Sequence, residues 1–173
     1  MGIGMTKVHH VKIPVTDLRR SVAWYARLLD LVPYREFVEH GALRGAALRS
    51  PEASFSIALR DRQFCASQPD LAGFDAVALQ MTSRETLSDL AARCDRLGIA
   101  HSPVQNRGPH EAVVDVPDPD GMVLRFFWER QSEETLRFMG LSSGAEGQLT
   151  FYDTPRLPIP DSPLACYLTL SGR

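Results

Sequence analysis

The sequence predicts an α+β fold in which one βαβββ unit is used twice. Three observations carry this reading. An alternating strand leads into an amphipathic helix near the N-terminus, over Val8–Val15 and the residues after it. The same strand-to-helix pattern returns 66 residues later, with Val77, Leu79 and Met81 opposite Val11, Ile13 and Val15. Each helix is then followed by short apolar segments divided by turn residues.

The elements follow in order. Val11, Ile13 and Val15 alternate with polar neighbours, as a half-buried strand requires. Asp17 suits an N-cap, and Leu18, Val22, Tyr25 and Leu29 then recur on one helical face. Strand-like segments follow near Tyr34–Glu39, at Ala42–Arg49 and at Ser54–Arg60, with Asp61–Gly73 as the link to the second unit. There Thr82 and Glu85 have capping-box spacing. Leu87, Leu90, Ala91, Cys94 and Leu97 make the second apolar helix face, and Gly98 fits the position just past its end. Ile99–Val104, Ala112–Val116 and Val123–Trp128 complete the repeat. Their dividers are Arg107-Gly108-Pro109 and Pro117–Gly121. The two units span about residues 7–60 and 74–130 of a domain covering residues 1–130.

Residues 131–173 form a C-terminal extension. Ser132 is placed to cap a short helix beginning with Glu133 and Glu134, two acids suited to the positive end of the helix dipole. Pro155, Pro158, Pro160 and Pro163 impose an extended path, and Leu164–Leu170 reads as a final strand. A surface wrap or dimer strap is the plain reading of this tail, and a lid over a cavity is the other.

Bulk properties exclude several classes. The 173 residues are 44% hydrophobic, which describes a globular chain. A formal charge of -2, with no basic run longer than Arg19-Arg20, predicts no nucleic-acid partner. No apolar run approaches a membrane span, and the N-terminus lacks the pattern of a secretory signal. Three dispersed cysteines, Cys65, Cys94 and Cys166, suggest reduced thiols in a cytoplasm. There is no Gly-rich phosphate loop.

Two segments carry a resemblance. Asp118-Pro119-Asp120-Gly121-Met122-Val123-Leu124-Arg125 runs a turn into an apolar strand. His9-His10-Val11-Lys12-Ile13-Pro14-Val15-Thr16-Asp17 runs a strand into a helix. With the repeat and the element order, the stretch 7–130 resembles the vicinal-oxygen-chelate superfamily of glyoxalases, extradiol dioxygenases, fosfomycin-modifying enzymes and bleomycin-binding proteins. The resemblance implies two modules curled into an open, barrel-like sheet around a central cavity. It also implies a metal bound by one residue from the first strand, one from the strand after the link and one from the last strand. The positions matching these are His10, Ala76 and Arg125. The family usually has a glutamate where Arg125 stands. Alanine has no donor atom, and a guanidinium has no lone pair to give. The expectation is therefore no metal and no cofactor.

If Val11 and Ile13 face the helix, alternation turns His10 and Lys12 toward the cavity. The same rule turns Ala76, Ala78 and Gln80 inward from the second module, and Val123, Arg125 and Phe127 from the last strand. The expected ligand-binding set is His10, Lys12, Ala76, Ala78, Gln80, Arg125 and Phe127. Arg125 has two readings: it orients an anionic ligand, or it pairs with a carboxylate such as Asp115 and fills the space a metal would take. His9, His40, His101 and His110 read as surface or satisfied histidines, and Cys94 as an inert thiol in an apolar face. Asp118 and Asp120 read as turn chemistry.

The favoured functional reading is a metal-free protein that binds or sequesters a small aromatic or anionic molecule. The resemblance to the bleomycin-resistance branch implies a homodimer with the ligand in a cleft between chains. The alternative is an enzyme of the superfamily: a glyoxalase-like lyase, a dioxygenase, a thiol transferase, or a metal-free isomerase or cyclase using His10 and Arg125. A structural or interaction module with a vestigial cavity is the third possibility.

Overall fold

The computed structural model describes residues 7–52, 54–107, 110–130, 140–143, 149–152, 154 and 156. The chain divides into two compact units, Met1–Glu129 and Arg130–Arg173.

The first unit contains the repeated module. Its first copy is β1 (Val11–Val15), α1 (Leu18–Leu29), β2 (Val32–Glu39), β3 (Ala42–Arg49) and β4 (Ser56–Asp61). A 3-10 turn at Arg62–Phe64 starts the link. The second copy is β5 (Val77–Gln80), α2 (Glu85–Leu97), β6 (Gln105–Asn106), β7 (Glu111–Pro117) and β8 (Val123–Glu129). Each copy makes a four-stranded mixed sheet of the same topology, β1-β4-β3-β2 and β5-β8-β7-β6. In each, the strand before the helix pairs parallel with the last strand, and the remaining pairs are antiparallel. The fold is α+β, and the two sheets are separate ladders, an open arrangement rather than a closed barrel.

The core lies where the apolar sheet faces meet the helices. Ile13, Val15, Leu48, Ile57 and Leu59 are buried with Leu18, Tyr25 and Leu28 of α1. Val114, Val116, Leu124 and Phe126 are buried with Leu87, Leu90 and Cys94 of α2. Both sets belong to one contiguous cluster. Each of the larger side chains contributes roughly 1.5–3 kcal/mol by leaving water.

Local chemistry sets the element ends. The Asp17 carboxylate accepts from Arg20 N–H at 3.0 Å and starts α1. Asp30 ends α1 in the left-handed region at φ 52°, and Gly98 ends α2 at φ 66°. His40 and Gly41 both take positive φ between β2 and β3, the backbone of a tight two-residue hairpin.

Several boundaries differ from the sequence reading. The first strand begins at Val11, because Val8 is largely exposed and has no ladder partner. The capping box sits one residue later than Thr82 and Glu85. Ser83 and Thr86 exchange it reciprocally, each backbone N–H donating to the other's hydroxyl at 3.4 Å. The segment Ile99–Val104 is not a strand. Pro103 has no N–H to give a ladder, and Ser102 N–H instead donates to the Asp115 carbonyl at 2.8 Å. Pairing resumes only at Gln105–Asn106.

The second unit contains an antiparallel pair that the sequence reading did not foresee, β9 (Gly140–Ser143) with β10 (Leu149–Tyr152). The Arg156 guanidinium lies 4.2 Å from the Tyr152 ring centre. The expected helix after Ser132 and the strand at Leu164–Leu170 lie outside the described residues. Among the described residues, no helix is long and apolar enough to cross a membrane.

Candidate functional site

The face of the first sheet turned away from α1 forms a trough. Its floor follows from the ladder register: Lys12 pairs with Ala58, Ala58 with Ala47, and Ala47 with Arg35. Alternation puts all four on one face, opposite the core residues Ile13, Ile57, Leu59 and Leu48. Two alanines in the middle leave a hollow between two long cationic side chains. The next row brings Arg60, Gly45 and Phe37 together. Gly45 allows a close approach there, since a Cβ would lie 2.9 Å from the Leu59 carbonyl oxygen and 3.3 Å from the Phe37 ring.

The result is a cavity of about 330 Å³ lined by His9, His10, Lys12, Tyr34, Arg35, Phe37, Glu39, Ala47, Ala58, Leu59 and Arg60. Glu39 accepts both arms of the Arg60 guanidinium, at 2.6 and 2.7 Å. That pairing holds the Glu39 carboxyl below its ordinary range. Lys12 and Arg35 are exposed and have no acidic partner among the described residues. The Arg35 and Arg49 guanidinium carbons lie 5.5 and 5.1 Å from the centre of the Tyr34 ring. At the cavity end, His9 Nδ1 and His10 Nδ1 share a 2.9 Å hydrogen bond. With the histidines neutral, the lining has three cations and one anion, a balance of +2.

The corresponding face of the second sheet has an ion pair across its middle. Arg125 pairs with Ala78 on one side and Asp115 on the other. Its Nε and Nη2 donate to the two Asp115 carboxylate oxygens at 2.9 and 3.0 Å, and its Nη1 donates to Asp75. The Asp115 hydrogen bond, more than the charge of Asp75, raises the guanidinium pKa further. Of the two readings of Arg125, the one pairing it with Asp115 describes its contacts. Two carboxylates surround one cation, so this three-residue cluster has a balance of -1.

The residues expected at one site thus fall into two groups. His10 and Lys12 line the first-module cavity. Ala76, Ala78, Gln80, Arg125 and Phe127 lie on or beside the second sheet and do not line that cavity. Ala76 directly precedes β5, and Gln80 Nε2 donates to the Met81 carbonyl at 3.2 Å. Phe127 is half-buried opposite Gln80. The family's metal does not fit these residues. His10 has no second donor side chain aligned with it at the matching positions, and Arg125 is a cation already engaged. Among the described residues, no group of three or more His, Cys, Asp or Glu side chains could hold a metal ion.

His101, Asp118 and Asp120 have structural partners. His101 Nδ1 contacts the Ser102 carbonyl at 2.8 Å and its Nε2 contacts Asp95 at 3.2 Å, contacts that raise its pKa. Cys94 is fully buried, and burial raises its thiol pKa. Asp118 shapes its turn by accepting from Asp120 N–H and Met122 N–H, each at 2.9 Å. It also accepts from the buried Tyr25 hydroxyl at 2.9 Å. Asp120 accepts from Thr16 N–H at 2.9 Å and from the Thr16 hydroxyl. This turn therefore pins the second module to α1 and the end of β1.

Sequence reasoning missed Tyr34, Arg35, Phe37, Ala47, Ala58 and Arg60. The alternation rule applied to β3 and β4 places Ala47, Ala58 and Arg60 on the inner face. The inner residues of β2 are harder to find, because irregularities near Tyr34 and Phe37 break its alternation.

The model of the Glyoxalase/Bleomycin resistance protein/Dioxygenase superfamily matches residues 7–126. No curated protein matches the chain. Solved structures do. A glyoxylase/bleomycin resistance protein/dioxygenase domain from Frankia sp. EAN1pec is 25% identical, with 76% of this chain and 97% of that one covered and a TM-score of 0.62. TnmS3, an antibiotic binding protein from Streptomyces sp. CB03234, is 18% identical, with coverage of 75% and 100% and a TM-score of 0.59. The fosfomycin resistance protein FosX from Listeria monocytogenes is 14% identical, with coverage of 75% and 97% and a TM-score of 0.57. The last two likenesses concern the fold alone. The chain belongs to the Glyoxalase/Bleomycin resistance protein/Dioxygenase superfamily.

Proposed function

We propose that this superfamily member is a metal-free binding protein whose ligand is a small aromatic anion held in the trough of the first module. The observation that carries the reading is the alanine floor between Lys12 and Arg35, two cations without acidic partners among the described residues. Small floor residues give room, and Tyr34 and Phe37 supply aromatic surface. The unbalanced positive charge favours a carboxylate, sulfonate or phosphate, through charge-assisted hydrogen bonds. An antibiotic-binding protein of the same fold is in keeping with such a role. No metal is invoked, because the donor set does not fit one.

Calorimetry with simple aromatic carboxylates tests the reading. Binding should weaken when Lys12 and Arg35 are both replaced by methionine. Binding that ignores both changes places the ligand elsewhere. Elemental analysis of the purified protein should find well under one equivalent of zinc, manganese, iron, nickel or cobalt. We also propose a homodimer, for which the exposed Val32, Val38 and Phe74 offer apolar surface. Sedimentation showing a monomer at tens of micromolar would refute that. Cys65 and Cys94 are free thiols, which suits a cytoplasmic setting.

A further inference from the structure

We infer that the ligand of the first-module trough is two-ended, with an anionic group at each end of a flat apolar body. This rests on the binding reading above and adds the spacing and number of charges.

The ladder sets the geometry. Lys12 on β1 and Arg35 on β2 stand at opposite ends of one transverse row, with Ala58 and Ala47 between them. Strands lie about 4.8 Å apart, so three inter-strand steps separate the two backbones by about 14 Å along the sheet. Both side chains are long enough to lean in over the floor. The floor itself is shielded, with Ala47 and Ala58 only 3% and 5% exposed. No hydrogen-bonding side chain interrupts the row between the two ends.

The charges are not balanced from within the trough. Among the described residues Glu39 is its only acid, and both its oxygens engage Arg60. Lys12 and Arg35 therefore face each other's field across a shielded floor without a counter-charge. A monoanion satisfies one end and leaves the other cation uncompensated. A dianion with its charges at opposite ends satisfies both, while its middle lies on the two alanines against Phe37 and Tyr34. A compact multivalent ion such as inorganic phosphate reaches one end only and leaves the other cation uncompensated.

The test compares biphenyl-4,4′-dicarboxylate and terephthalate with biphenyl-4-carboxylate, benzoate and inorganic phosphate. Each is titrated calorimetrically into the full chain at constant ionic strength. At least one dicarboxylate should bind about tenfold or more tightly than its matched monocarboxylate, the scale of one added charge-assisted contact. Lys12→Met and Arg35→Met should each erase that advantage. Either single change should alter monocarboxylate binding only about twofold, since the other cation remains available. The double variant should lose both classes, and circular dichroism should show it folded, because both positions are exposed.

The outcomes separate the two levels. If mono- and dicarboxylates bind equally and the double variant loses both, the trough binds anions and the two-ended ligand is wrong. Phosphate binding as tightly as the best dicarboxylate also overturns it. If no carboxylate binds, or binding survives the double variant, the binding reading falls and this inference falls with it.

Discussion

The two modules use the same strand order and place different residues along the same row. From β1 to β2 the first module reads Lys12, Ala58, Ala47 and Arg35. From β5 the second reads Ala78, Arg125 and Asp115. Where the first has two small residues in the middle and cations at the edges, the second has a small residue at the edge and a cation in the middle. The first arrangement leaves a hollow with surplus positive charge. The second places an ion pair in the middle of the row and retains surplus negative charge from Asp75. One backbone plan thus yields a pocket or a plug, depending on which ladder position holds the large side chain. The turns show the same contrast. Ser50 and Asp118 each precede a proline and are each buried. Ser50 accepts from Ser54 N–H with a neutral hydroxyl, whereas Asp118 accepts from Asp120 and Met122 N–H with a carboxylate.

The largest expected effect comes from unplugging the second module. Arg125→Glu removes the cation between Asp115 and Asp75 and adds a third carboxylate. A loss of about 2–4 kcal/mol in urea unfolding is expected, short of the full figure for a buried pair because these groups are partly exposed. Millimolar calcium or manganese should restore part of it by binding the folded carboxylate cluster. An unchanged midpoint means that the ion pair stabilises nothing. Adding Ala76→His should raise zinc affinity further, read by calorimetry, and equal affinity would mean that these positions do not converge.

Plugging the first module is the converse. Ala47→Leu puts a large side chain on the trough floor. Carboxylate binding should fall by about tenfold or more, roughly 1.4 kcal/mol. The melting temperature should move little if the added atoms occupy the hollow. Retained affinity with a normal melting temperature would place the ligand off the floor.

The two helix starts differ in a smaller way. Asp17 caps α1 directly, so Asp17→Ala should cost about 1 kcal/mol. At α2 the N-cap residue Arg84 makes no side-chain cap, and the longer 3.4 Å Ser83–Thr86 exchange serves instead. Ser83→Ala should therefore cost less than Asp17→Ala, and the reverse order in matched unfolding curves would contradict this account.

The smallest effect concerns pH. Burial, partly offset by its hydrogen bonds, raises the Asp118 pKa in the fold. The protonated form is thus favoured on folding. Its contribution to stability is complete below the ordinary aspartate range and is lost as pH rises through the raised value. Asp118→Asn should flatten stability against pH over that rise, making the turn behave like the neutral one at Ser50. An identical slope in the variant would assign the pH dependence to other groups.

Much of the fold was legible because hydrophobic periodicity depends on neighbours along the chain. Val11, Ile13 and Val15 alternate, α2 shows its apolar stripe, and the repeat copies both. Asp17 and Gly98 were readable for the same reason, since each cap is a local backbone requirement. The strand expected at Ile99–Val104 failed because Pro103 withdraws a donor, a fact the apolar pattern outweighed in the reading.

The site was legible only in part. Alternation on β1 turned Lys12 away from the core, and Lys12 lines the cavity. Nothing local told that Arg35 lies across the trough from it, because that placement depends on β4 and β3 being inserted between β1 and β2. Arg125 was identified as a replacement at a family metal position and as a possible partner of Asp115. Its second carboxylate, Asp75, lies 50 residues away and becomes a neighbour only through the parallel pairing of β5 with β8. The sequence by itself determined the periods, the caps and the repeat, all of which are written in adjacent residues. Tertiary structure decided which charges meet. Coulomb attraction depends on distances through space, and those are set by strand order and register rather than by separation along the chain.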